Sequence, residues 1–166
     1  MAQQMLFRDH AGADPVRELM HAWARGDLGR LADRFDDDVV LTSPAGTLVG
    51  RADAERHLAG IAAALPDLRG HVLRWSWHSD DALEVHMLYT ATVAGRVMSW
   101  RGIDRYRFLD GLIVEKVSDY DHGKIRRRLL LSPRGWSQLL RAGRVQRELG
   151  AQHLAPLRCS PQERIA

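Results

Sequence analysis

Apolar positions recur with a helical period over about residues 14–65, and from residue 71 onward the period drops to two. Asp14-Pro15 places an N-cap before a proline suited to a first helical turn; Val16, Leu19, Met20 and Trp23 follow at helical spacing until Gly26 stops the run. A short second helix from Asp27 is expected to bury Leu28, Leu31 and Phe35. Val39-Val40-Leu41-Thr42 is β-branched and apolar and runs into Ser43-Pro44-Ala45-Gly46, the signature of a strand entering a turn. Residues 50–65 predict a third helix, with Leu58, Ile61, Ala62 and Leu65 on one face and Pro66 as its stop. Residues 71–79, 83–94, 96–108 and 112–120 then predict four strands, separated by Asp80-Asp81, Ala94-Gly95 and Asp110-Gly111. The pattern predicts an α+β domain: three N-terminal helices packed on a curved, mostly antiparallel sheet, followed by a C-terminal helix.

With two central residues in each of the two middle turns, Asp80-Asp81 and Ala94-Gly95, Asp104 stands opposite Val85, Gly102 opposite Met87, Trp100 opposite Tyr89 and Met98 opposite Ala91. One sheet face is then apolar and aromatic with a single carboxylate. The other is expected to gather Trp75, Trp77, Glu84, His86, Leu88, Arg101, Ile103 and Arg105, with Glu84 facing Arg105 and Trp75 facing His86. Leaving Trp75, Trp77, Leu88 and Ile103 in water together would make a large apolar patch, so this face predicts a homodimer.

Composition narrows the class. The 166 residues, 45% apolar and 27% charged, suit one globular domain. No apolar run reaches the roughly 20 residues of a membrane span, and no signal pattern opens the chain, which predicts a cytoplasmic protein. The one cysteine, Cys159, fits a reducing compartment, and no Cys/His spacing predicts a metal site. The net charge of +3 is unevenly spread: from Lys124 onward ten Lys/Arg face two acids, +8, whereas residues 1–123 carry fourteen against nineteen, −5. An acidic body with a basic tail lacks the footprint of a nucleic-acid binder. The division expected is a cavity domain over 14–125 and a basic helical extension over 126–166, removable from about Pro133.

Gly26-Asp27-Leu28, Phe35-Asp36-Asp37-Asp38-Val39, Gly50-Arg51, Ile103-Asp104-Arg105-Tyr106-Arg107-Phe108 and Asp110-Gly111-Leu112-Ile113-Val114-Glu115 occur in an order that resembles the nuclear transport factor 2-like superfamily, in particular the SnoaL-like polyketide cyclases and their ketosteroid isomerase relatives. The resemblance implies a cone-shaped cavity for a small apolar molecule, no cofactor, and dimerisation through the open sheet face. It spans functions from isomerase, cyclase and epoxide hydrolase to proteins without catalysis. The isomerase base position carries Ser43 and its helix tyrosine position Leu19; the epoxide hydrolase positions carry Val85, Met87 and Ser118. In SnoaL-like cyclases one aspartate from the last strands acts as general acid and base; Asp104, Asp119 and Asp121 are the candidates that remain for it, and Asp104 and Asp121 are the expected catalytic residues.

Two readings of Asp104 stay open. A carboxyl desolvated among Met, Trp and Tyr is a proton donor; a carboxylate bridged to a cation is structural. Asp121 equally fits a turn that ends the last strand. Ser43, Met87, Tyr89, Met98 and Trp100 are the expected substrate-binding residues, Trp100 and Tyr89 as a stacking pair. His57 is expected on an exposed helix face, and His78 in solvent. The functional expectation is a cofactor-independent cyclase or isomerase acting on a hydrophobic carbonyl compound, with a non-catalytic ligand-binding or dimerisation module as the alternative. Arg126-Arg127-Arg128, Leu129-Leu130-Leu131, Trp136, Leu139 and Leu140 form a basic amphipathic segment, expected to pack on the domain or its partner in preference to a membrane surface.

Overall fold

The computed structural model describes residues 13–154; the sequence predicts a frayed leader over residues 1–13, of which all but Ala13, the first residue of a helix, lie outside the described residues, as does Cys159. In chain order the elements are α1 (Ala13–Arg25), α2 (Gly29–Ala32), β1 (Phe35–Ser43), β2 (Gly46–Val49), α3 (Arg51–Ala64), β3 (Arg69–Trp77), β4 (Ala82–Val93), β5 (Arg96–Leu109), β6 (Leu112–Tyr120), α4 (His122–Leu130) and α5 (Pro133–Leu154). Two short helices, not three, precede the first strand. Phe35 leaves the helical path because it is paired with Ile113, and the amide of Ile113 donates to the Arg34 carbonyl at 2.8 Å. The β1–β2 hairpin then separates α2 from α3, and two C-terminal helices stand where one was expected.

The sheet order is β2-β1-β6-β5-β4-β3, antiparallel throughout except where β1 runs parallel to β6. The β4–β5 register is the expected one, with Asp104 opposite Val85 and Trp100 opposite Tyr89. Its turn holds Ala94 and Gly95 at φ 53° and 79°, and the β5–β6 turn holds Asp110 and Gly111 at 49° and 80°. These are the left-handed pairs that match the twist of hairpin strands.

The outer edge departs from expectation. The β3–β4 connection closes between Trp77 and Leu83, so Trp75 faces Val85 and Arg74 faces His86. A one-residue difference in register exchanges sheet faces. Trp75 and Trp77 therefore pack on the main core, Trp77 with its ring 5.8 Å from Phe108, and leave the open face to Leu88, Ile103 and charged residues. There Glu84 accepts from Arg105 Nε at 2.9 Å and lies 2.9 Å from His86 Nε2, which in turn lies 3.0 Å from Arg74. His78 is solvent-exposed, as expected.

The inner face carries Leu83, Val85, Met87, Tyr89, Ala91 and Val93 of β4, all buried, under Leu19 and Trp23 of α1 and Leu58 of α3. Each such aliphatic side chain contributes roughly 1.5–3 kcal/mol on removal from water. At the far end α4 and α5 form a tight helical corner. Gly135 is obligatory there, since a Cβ would stand 2.0 Å from the Leu129 carbonyl oxygen. Gln138 of α5 is buried and satisfied on every side: it donates to Ala64 O at 2.9 Å and Thr92 O at 2.8 Å, and accepts from Ala94 N at 2.8 Å. The expected boundary at residue 125 thus falls inside α4, and α5 is tied to α3 and β4.

Candidate active site

Between the inner sheet face and the helices lies a mostly apolar cavity of about 320 Å³. Leu19 and Trp23 of α1, Leu58 and Ile61 of α3, and Ile125 and Leu129 of α4 supply much of its wall. Tyr89 and Trp100, neighbours across β4 and β5, stack at 5.9 Å with 27° between their planes, and Trp23 meets Tyr89 edge-on at 5.3 Å. The stacked pair gives the cavity a flat aromatic wall.

The polar centre is built on three strands. Asp104, 1% exposed, accepts from the Tyr89 hydroxyl at 2.5 Å and the Tyr106 hydroxyl at 3.1 Å on one oxygen. Its other oxygen accepts from Lys116 Nζ at 3.2 Å. Lys116 also donates to Ser118, and its ammonium lies 5.7 Å and 5.6 Å from the ring centres of Trp23 and Tyr106. Burial, then the Asp104 charge, pushes the hydroxyls of Tyr89 and Tyr106 well above the usual tyrosine range, so both remain donors. Burial also raises Tyr120, opposed by its hydrogen bond with Ser43. Gly102 admits this arrangement, because a Cβ there would stand 3.0 Å from the Tyr89 ring. On the helical side His57 of α3 lines the same cavity, half-buried; desolvation first, and the Lys116 charge second, lower its pKa and hold the imidazole neutral.

The expected site residues divide between this cavity and its surroundings. Asp104, Tyr89, Trp100 and Ser43 line it together. Met87 is buried in the core behind it, and Met98 packs with Val93, Ile125 and Leu129, so neither is part of the cavity wall. Asp121 is exposed and caps α4, accepting from Lys124 N at 3.0 Å. His57 was expected in solvent and instead faces the cavity, because α3 turns it toward the sheet with Leu58 and Ile61.

Lys116, Tyr106, Tyr120 and His122 also line the cavity and were missed. The signal for Lys116 lies in the β5–β6 register. A plain two-residue turn would send it outward, but an irregularity between Arg107 and Phe108 pairs Tyr106 with Lys116 and Asp104 with Ser118. Among the described residues no group of His, Cys, Asp and Glu is placed to hold a metal ion.

The molecule is thus a sheet wrapped by helices around an apolar cavity with one buried polar centre. The SnoaL-like domain model matches residues 16–116, and the chain belongs to that family, within the nuclear transport factor 2-like fold. Among solved structures, AclR from Streptomyces galilaeus, a proposed hydroxylase, is 26% identical, with 72% of this chain and 82% of that one covered at a TM-score of 0.59. IdmH from Streptomyces antibioticus, a proposed polyketide cyclase, is 20% identical over 72% of this chain and 99% of that one, TM-score 0.61. A protein of unknown function from Burkholderia pseudomallei is 21% identical over 70% and 95%, TM-score 0.63. No curated protein matches the sequence.

Proposed function

We propose that the protein is a cofactor-independent enzyme that enolises a hydrophobic carbonyl compound, with isomerisation or ring closure as the outcome. The observation that carries this reading is the Lys116–Asp104 ion pair sunk in an apolar cavity that a neutral imidazole, His57, also lines. Lys116 uses two donors on Asp104 and Ser118, which leaves its third for a ligand oxygen. The substrate carbonyl accepts that hydrogen, and its ring system lies on Tyr89 and Trp100. His57 takes the proton from the carbon next to the carbonyl; the C–H pair becomes the C=C bond of the enolate and the carbonyl π pair moves onto oxygen, where the ammonium stabilises it. Return of the proton to a different carbon gives an isomer. Attack of the enolate carbon on a second carbonyl closes a ring, with the proton passing to the new alkoxide. Asp104 serves as the positioning residue for Lys116, and Asp121 caps a helix.

The match to a family model and the likeness to AclR and IdmH support a pocket protein of this type. The non-catalytic alternative draws support from the three donors already bonded to Asp104. We also infer a homodimer through Leu88 and Ile103 of the open sheet face. The test of the enzymatic reading is deuterium uptake next to the carbonyl of 2-tetralone, a flat bicyclic ketone, followed by NMR in heavy water. Protein-dependent exchange that falls roughly 10²–10⁴-fold in His57→Gln supports it. Tetralone binding without exchange leaves the protein a binding module.

A further inference from the structure

Five of the large apolar side chains most open to water sit at one place, the corner where α4 meets α5. Leu131 is 73% exposed, Leu140 69%, Trp136 57%, and Leu130 and Leu139 are also exposed. They are contiguous: Trp136 Nε1 donates to the Leu130 carbonyl at 2.6 Å, and Leu140 lies one helical turn beyond Trp136. The bond also satisfies the only polar atom of the indole, leaving the ring as an apolar surface.

The surroundings have one sign of charge. Arg126 and Arg127 lie one turn before Leu130 and Leu131, and Arg134, Arg141 and Arg144 are on α5; all five are exposed and none is in an ion pair among the described residues. Across α4 and the described side chains of α5, Glu148 is the single acid. A second copy of this chain presenting the same corner would bring arginine against arginine, and a protruding apolar group offers no groove for a peptide. A protruding Trp and Leu set ringed by arginines matches a bilayer surface with acidic headgroups: the apolar groups enter the acyl boundary and the guanidinium groups meet the phosphates.

We propose that the α4–α5 corner docks the protein on anionic lipid membranes, with Leu130, Leu131, Trp136 and Leu140 inserted and the arginines on the headgroups. The corner adjoins the cavity, since Leu139 belongs to both the exposed patch and the cavity wall and Leu129 lines the cavity from α4. A lipid-dissolved apolar ligand would thus meet the docked protein beside its binding site. The docking stands on the patch alone and is independent of the catalytic reading.

The test is co-sedimentation of the full chain with vesicles of phosphatidylcholine, with and without phosphatidylglycerol, at low and high salt. The protein should bind the acidic vesicles, and salt should weaken the binding. Leu131→Ser with Leu140→Ser should reduce it by at least about tenfold, from lost apolar insertion. Arg126→Gln with Arg127→Gln should reduce it on the order of tenfold or more while leaving the apolar patch intact. Both pairs of changes are at exposed positions, and an unchanged thermal melting curve shows that the fold is kept. No binding to acidic vesicles overturns the proposal. So does equal binding by the variants, or a serine pair whose only effect is to lower the sedimentation coefficient of a self-associated species.

Discussion

Asp104 and Lys116 depend on each other. Lys116→Met leaves a buried carboxylate with two tyrosine hydroxyls but no cation, and should cost about 3–5 kcal/mol in urea denaturation. Adding Asp104→Asn should recover part of that loss, because the uncompensated charge is gone; strictly additive changes would contradict the coupling. His57 gives a second signature. Its folded pKa is depressed, so its contribution to stability is complete above the unfolded value of about 6.5 and is lost as pH falls through the lower folded value. Stability should therefore decline on acidification below about pH 6.5, less steeply in His57→Gln; an unchanged acid limb in that variant would place the imidazole in solvent. Of these groups Asp104 was legible in the sequence, because the β4–β5 turn fixes its register without ambiguity. Lys116 was not, since one irregularity between Arg107 and Phe108 decides which face it takes, and no residue type announces that irregularity.

At the scale of elements, the period change from helix to strand located nearly every segment, because apolar spacing is set by burial of one face. Three features escaped it. The strand β2 is four residues long, too short for alternation to register. The β3–β4 connection hides its register in a loop of polar residues, which is why Trp75 and Trp77 were assigned to the open face while they pack on the core. The third is the attachment of α5. A basic, amphipathic C-terminal segment reads as an appendage, but Gln138 joins it to the end of α3 and to the β4–β5 turn through three hydrogen bonds that composition cannot reveal. Gln138→Ala should cost about 2–4 kcal/mol, from the buried backbone groups it strands. Truncation after Leu131, which removes Gln138 and uncovers the wall formed by Leu139 and Ala142, should lower stability further. A truncated chain as stable as the full one would show α5 to be dispensable.

For the whole molecule, an open sheet face and a closed one divide the labour. The open face keeps Leu88 and Ile103 among ion pairs, and Leu88→Glu with Ile103→Glu should convert the proposed dimer to a monomer in sedimentation; a monomer before mutation would remove the open face as an interface. The closed face holds the cavity, and the central claim is that Lys116 directs its remaining N–H at a ligand carbonyl there. The most direct measurement is the infrared carbonyl band of carbonyl-13C 2-tetralone bound to the protein. A hydrogen bond from an ammonium in an apolar site polarises the C=O bond, so the band should move to lower frequency on binding and return toward its unbound position in Lys116→Met. A band that does not move, or that moves equally in the variant, would contradict the account.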